Sequence, residues 1–537
     1  MAKRKKGRNK QKRSSKKPAR KIDRAFEQAL ELIESGAQED LLEAKKLLIQ
    51  LLEKRPGQPA ILGSLTDVSL ELDHYREFAY YGDQYLPFAS EDERGVLINN
   101  LVYAYSPQQL FYPALALDHA RRLKQEYPDF NPKIDQFIDM LEGFLKDEAQ
   151  RLEEYSMLPE NKRAEAIILQ DKVRFMVESS YFNEAIRLGE EALSQGFTQR
   201  SMRNNLTLAY FSSGRFKRAE AIALELLDAY PDNPHTLANL VKMTFMTGRL
   251  KEAERYVERI KHVQSPHNDL FAKQMESLAY MADDEGIKTI FEQAESAKAM
   301  ISPFMYHCAA VAHYHSGEQK AAWRLWRKAL KADPTFDMAE KSLDERFKSE
   351  EERHVPWYYS LHYWFPQIIL DELLITFKKA AEGSEHNAER IIKKFLQKYS
   401  YIQQLIPVLL ERSDEIGRNL MWSLIQLGRS PELLQIALDF AKSPYGPAKM
   451  RVEILYYLDQ HHPDILPSDR KITVWKNGEQ TELLLTGFEI TDETMHLPGF
   501  SEEVADKFED ATLKLYDDDF EAAEALLLNL REEEPNY

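Results

Sequence analysis

Three stretches of this chain align with one another without a gap. They read Ser180-Tyr-Phe-Asn-Glu-Ala185, Gly214-Arg-Phe-Lys-Arg-Ala219 and Gly248-Arg-Leu-Lys-Glu-Ala253, a period of 34 residues taken twice. A fixed period of this length restricts the chain to stacked supersecondary units, each too small to bury its apolar face alone. The positions have separate physical reasons. Gly214 and Gly248 suit a turn between two antiparallel helices, where a positive φ is cheap without a Cβ. The Phe or Leu two residues later starts the buried side of the second helix. The Ala is small because the two helices cross closely there. Pro231 and Pro266 end the second helices and open the next loop.

This pattern resembles the tetratricopeptide repeat family, whose unit is a 34-residue helix-turn-helix. Leu206, Ala209 and Tyr210 fit its first helix, and Gly317, Ala322, Trp326, Ala329, Leu330 and Pro334 repeat its second. Gly317 lies 69 residues after Gly248, which leaves space for one degenerate unit over roughly 266–300. Ala44, Leu51, Leu52 and Pro56 fit the template, as do Tyr75, Phe78 and Pro87, then Ala116, Ala120, Leu123 and Pro128, and finally Phe520, Ala523, Leu527, Leu530 and Pro535. The expected fold is therefore all-α, a helical-hairpin solenoid of tetratricopeptide type, with repeats over 25–345 and a C-terminal hairpin over 500–537.

Residues 346–470 keep helical spacing of apolar residues, for example Ile391-Ile392, Phe395, Leu405-Ile406 and Leu409-Leu410, without the repeat signature. They are expected to form irregular helical hairpins. Residues 471–499 break the pattern. Lys471 to Trp475 alternates, Asn477-Gly478 is a preferred type I′ turn pair, and Gln480 to Leu485 returns, so a small inserted β-hairpin is expected, with Phe488-Glu-Ile490 as a candidate third strand.

Motifs for chemistry are missing. The chain has no phosphate-cradling GxxxxGK[ST], no HExxH and no GxSxG. Its one cysteine, Cys308, excludes an internal disulfide and multi-cysteine zinc sites. His307, Cys308, His313 and His315 crowd into nine residues, but only Cys308 and His315 share a helix face, so a core histidine and a buried thiol are expected rather than a metal site. His461-His462 and the acidic runs at 517–519 and 532–534 read as solvated surface. The expectation is a chain that is not an enzyme, with no cofactor and no metal.

In the tetratricopeptide family the first helices of successive units line a binding groove. The resemblance projects Gln170, Arg174 and Val177 into it from one unit, Asn204, Asn205, Leu208 and Phe211 from the next, and His235, Asn239, Lys242 and Phe245 from the third. Amides, cations and aromatics together suit an extended peptide. The resemblance thus implies a protein-binding scaffold or adaptor. Some family members clamp an acidic chaperone C-terminus with Lys and Asn, then Asn, then Lys and Arg. Here only Asn205 matches, and the cationic pair is absent. The aromatic run Trp357, Tyr358, Tyr359, Tyr363, Trp364 and Phe365 reads either as a partner patch or, preferably, as packing between the regular and irregular helices.

The chain carries a net charge of −17, yet residues 1–22 hold twelve Lys or Arg and no acid: Lys3, Arg4, Lys5, Lys6, Arg8, Lys10, Lys12, Arg13, Lys16, Lys17, Arg20 and Lys21. With almost no apolar residue, residues 1–24 are expected to be a disordered tail. It suits polyanions through counterion release, and without aromatics it cannot stack bases. The alternative function is an RNA- or ribosome-associated protein tethered by this tail. Neither a secretory leader nor a membrane span is legible, so the expected location is cytoplasmic, or nuclear in a eukaryote.

Overall fold

At each aligned stretch the chain reverses through one hydrogen-bonded turn. The Gly214 N–H donates to the Phe211 carbonyl (3.0 Å) and the Arg215 N–H to Tyr210 (2.8 Å); Gly248 and Arg249 repeat the pair on Phe245 (2.9 Å) and Thr244 (2.8 Å). The glycines sit at φ +81° and +73°. This is the Schellman end of a helix, which satisfies carbonyls that the helix leaves unpaired. Ser180 makes the same turn at φ +63°. The degenerate unit turns at Ala282, φ +55°, with N–H bonds from Ala282 to Ala279 and from Asp283 to Leu278, both 3.2 Å. Ala282 stands 34 residues after Gly248, and Gly317 closes the series at φ +80°.

The structure is a computed structural model describing residues 24–151, 153–156, 158–265, 267–349, 351–476, 478–485, 502–516 and 519–533. The basic tail, Pro266, Asn477, the third-strand candidate 488–490, Asp517-Asp518 and Pro535 lie outside them. Two units form, one running to Phe440 with Tyr445–Pro447, the other holding Ala441–Pro444 and the chain from Ala448 onward.

The first unit opens with α1 (24–35) and α2 (Gln38–Lys54). Two hairpins come after them: α3 (Pro59–Glu71) on α4 (Tyr75–Tyr85), and α5 (Glu91–Tyr105) on α6 (Pro113–Glu126). A longer α7 (Ile134–Arg151) and a one-turn α8 (Glu153–Ser156) interrupt the alternation. Five more hairpins come next: α9 (Glu160–Glu178) with α10 (Phe182–Ser194), α11 (Arg200–Ser212) with α12 (Phe216–Ala229), α13 (Pro234–Met246) with α14 (Leu250–Lys261), α15 (Leu270–Met281) with α16 (Asp284–Ser296), and α17 (Pro303–His315) with α18 (Gln319–Ala332). Ala185, Ala219, Ala253 and Ala322 are fully buried where the second helix crosses the first. A larger side chain there would push the helices apart. Successive first helices α9, α11, α13, α15 and α17 also pack side by side, so they share one face.

After α19 (Asp337–Asp344) the chain runs largely without helix to α20 (Gln367–Ala381). The irregular helices are α21 (Glu385–Lys398), α22 (Ile402–Arg412), α23 (Glu415–Gly428) and α24 (Pro431–Lys442). Their core includes Ile392, Leu405, Ile406, Leu409 and Leu424.

The second unit holds α25 (Ala448–His461), a hairpin of β1 (Lys471–Lys476) and β2 (Glu479–Leu484), and a helical pair, α26 (Glu502–Tyr516) on α27 (Phe520–Glu533). The strands are antiparallel, with Lys471 opposite Leu484 and Lys476 opposite Glu479, and Gly478 stands between them at φ +78°. Ile472 and Val474 are buried on one side of β1, and the Arg451 guanidinium donates to the Trp475 carbonyl at 2.8 Å. No described helix is long and apolar enough to cross a membrane.

Candidate protein-binding groove

The residues projected into the groove lie on the first helices α9, α11 and α13, and their neighbours already use several of them. Gln170 on α9 accepts a bond from the Ser201 hydroxyl at 2.6 Å. The Arg174 guanidinium lies 4.5 Å over the Tyr112 ring, donates to the Phe111 carbonyl and pairs with Asp171 at 3.3 Å, which ties α9 to the loop before α6. Asn204 and Asn239 are buried between α11 and α13: the Thr236 hydroxyl donates to Asn204 Oδ1 (3.0 Å) and Asn239 Nδ2 to the Asn204 carbonyl (3.4 Å). A buried amide without such partners costs about 1–3 kcal/mol, so this pair specifies how the two repeats meet. Phe211 is buried with Phe216 at a centroid distance of 5.2 Å. Asn205, Val177 and Leu208 are half-buried.

Further along, Lys242 sits with Lys273 and Glu276, and Lys273 bonds Glu276 at 2.7 Å. Burial pushes the Lys242 ammonium below its usual value. Burial alone would raise the Glu276 carboxyl, but the Lys273 and Lys242 ammoniums outweigh it and hold the group below its ordinary range. His235 opens α13 behind Pro234, which Asn233 caps by accepting the Thr236 N–H at 2.9 Å.

Phe245 shows what fills this part of the face. Its ring lies 5.2 Å from Tyr280 and 5.7 Å from Trp364, so the aromatic run of residues 357–365 reaches α13 and α15. Tyr280 also lies tilted against Tyr359 at 4.6 Å, and Phe304 stacks on Tyr359 at 5.7 Å. Tyr358, Tyr359, Trp364 and Phe365 are 1–2 % exposed. The segment is held chiefly by its backbone. His315 donates to the Pro356 carbonyl (2.9 Å), His307 to Trp357 (3.2 Å) and the Tyr280 hydroxyl to Tyr363 (3.3 Å). In return the Tyr359 hydroxyl donates to the Glu276 carbonyl at 2.7 Å and that of Tyr358 to Asp284. First-helix side chains thus grip a largely irregular stretch of this same chain.

The sequence singled out Phe245 and Lys242 on this face but not Glu276, Tyr280, His307 or His315 as contacts. The register was available: Ala282, one period past Gly248, places α15 in the series. Both signature positions of that unit are replaced, Gly by Ala282 and Ala by the buried Ile287, which hid it.

The His307–Cys308–His313–His315 cluster does not converge. His307 Nδ1 accepts from the Trp326 indole at 3.1 Å, which fixes Nε2 as the donor to Trp357. Burial lowers His307 to about 4 and drives the Cys308 thiol well above its usual range, so neither is poised as base or nucleophile. His313 bonds Glu318 at 2.9 Å and His315 bonds Asp284 at 3.1 Å.

Five turns at 180, 214, 248, 282 and 317 share one geometry, and a relative carries the same kind of repeat in its name: TPR repeat-containing protein YvcD of Bacillus subtilis (strain 168), 24 % identical over 335 residues. The fold is a tetratricopeptide-like solenoid. The match covers 60 % of this chain and 65 % of the relative, so the chain spans just under two thirds of that protein's length. No family model matches the chain. Solved structures also align: the Cut9–Hcn1 hetero-tetramer of APC/C over 82 % of this chain and 88 % of its own, at 14 % identity and a TM-score of 0.33, and yeast Tom70 over 83 % and 98 %, at 12 % identity and a TM-score of 0.23.

Proposed function

We propose that this tetratricopeptide chain is a non-enzymatic protein-binding scaffold, and that the first-helix face along α9 and α11 takes an extended segment of a partner. The observation that carries this reading is internal to the molecule. Along α13, α15 and α17 the same face holds residues 356–365, non-helical but for one 3-10 turn at Leu361–Tyr363, with side-chain donors aimed at backbone carbonyls. Recognition through the peptide backbone tolerates varied sequences, and flanking pockets for aromatic side chains add affinity. Half-buried Gln170, Asn205 and Leu208 supply the amides and the apolar surface for such a contact upstream. Lys242 and His235 border it.

The test is affinity capture with the full-length chain, with and without nuclease, beside the double variant Asn205→Arg/Leu208→Glu. The expected result is a short protein list that survives nuclease and is lost in the variant while far-UV circular dichroism is unchanged. Partners indifferent to the variant would overturn the assignment. The twelve basic residues of the first twenty-two favour a second reading, RNA or ribosome attachment through residues 1–22. It requires capture that vanishes on nuclease treatment or on removal of those residues, and that weakens steeply with salt.

A further inference from the structure

At the start of α13 and in the loop before α15, three potential metal ligands meet. His235, His267 and Asp269 each bring one donor atom to within 4.8 Å of the others. His235 Nε2 is buried without a hydrogen-bond partner and lies 3.5 Å from Asp269 Oδ2. His267 Nδ1 lies 3.9 Å from that same oxygen, and the two imidazole rings are 4.6 Å apart at 71°.

Asp269 supplies an independent sign. It occupies the N-cap position of α15, where an Asp side chain ordinarily accepts a helix N–H and contributes about 1 kcal/mol. Its carboxylate makes no such bond. It is turned toward the imidazoles instead. An imidazole nitrogen buried without a partner is costly, and a carboxylate that forgoes its cap adds to that cost. A shared cation removes both.

We infer that His235, His267 and Asp269 bind one borderline divalent transition-metal ion of the zinc type. Two imidazoles and a carboxylate suit such an ion, and three protein ligands leave one position of a tetrahedron open. Bonds of about 2.0–2.2 Å place tetrahedral ligand atoms about 3.3–3.6 Å apart. The His235–Asp269 separation already meets that spacing; His267 Nδ1, 3.9 Å from Asp269 Oδ2 and within 4.8 Å of the His235 donor, has to move inward. Metal binding there displaces the Asp269 N–H bond to His267 Nδ1, 3.2 Å long. The nearby Lys273 ammonium is offset by Glu276 at 2.7 Å. The ligands lie 32 residues apart in sequence, from His235 to His267, and no short motif announces them.

The test uses the full-length chain, stripped with chelator and titrated with Zn2+ by calorimetry and with Co2+ by visible absorption. One equivalent is expected, with intense tetrahedral Co2+ bands. His235→Ala, His267→Ala and Asp269→Asn should each weaken binding by about 10-fold or more, whereas His461→Ala/His462→Ala should not. Asp269→Asn conserves shape and decides the matter if a histidine variant loses helicity. Absence of saturable binding, or one-equivalent binding that persists in Asp269→Asn, overturns the site.

Discussion

Two stretches of one first-helix face have different fates. Along α13, α15 and α17 it is roofed by residues 356–365, and Phe245, Tyr280 and His307 are buried beneath aromatic side chains from the same chain. Along α9 and α11 the described side chains instead bond to adjacent repeats, and Gln170, Asn205 and Leu208 remain half-buried. The repeats on both sides share the same turn and period. The difference lies beyond α19, where the chain returns across the array. A repeat template therefore sets the shape of a groove, while a distant segment decides how much of it another protein can use.

The largest test of this contrast is Trp364→Ala. Removing a fully buried indole that packs on Phe245 and Tyr280 should cost about 3–5 kcal/mol in chemical denaturation, and hydrogen exchange should rise along α13, α15 and α17. Asn205→Ala, on the other stretch, should stay within about 0.5 kcal/mol of the parent.

Next is the pH response of the roof. Burial lowers His307 to about 4 from its unfolded value near 6.5, so the folded state favours the neutral ring. The associated stability is fully present above about pH 6.5 and is lost as pH falls toward 4, because only the unfolded chain takes up the proton in that window. The whole shift corresponds to about 3 kcal/mol at most. The fall between pH 6.5 and 4 should be smaller in His307→Gln by that order, read from denaturation midpoints at each pH.

Two smaller effects separate glycines that look equivalent in the repeat. A Cβ on Gly248 would meet Gln404 Oε1 at 3.0 Å and Tyr401 Cβ at 3.1 Å, whereas one on Gly317 would meet nothing within 4 Å. Gly317→Ala should cost about 1 kcal/mol for its left-handed backbone, and Gly248→Ala more, since the start of α22 must also move. The reverse exchange, Ala282→Gly, should raise stability by about 0.5–1 kcal/mol, because relief of the left-handed Ala exceeds the entropy that Gly adds to the unfolded chain. Thermal melts of the three variants give the ranking.

The repeats were legible because their signals are local. A turn needing positive φ, a small residue at a crossing and a proline at a helix end each act within one hairpin. The β-hairpin was legible for the same reason, through alternation around Gly478. The groove was harder. Counting residues along a helix places Asn204, Asn239, Phe211 and Phe245 near the inner face but not their neighbours. Asn204 and Asn239 are drawn into the seam between α11 and α13, and Phe245 meets Trp364 from 119 residues away. Nothing near Phe245 announces that contact.

The returning segment also bears on how this array folds. In a simple repeat stack each unit touches only its neighbours, so unfolding can proceed from an end one repeat at a time. Here residues 356–365 bind α13, α15 and α17 together, through contacts such as Tyr280 with Tyr363 that span 83 positions. Loops of that size close slowly. Once closed, they bind three repeats into a single cooperative block, so this part of the array should melt as one step rather than fray.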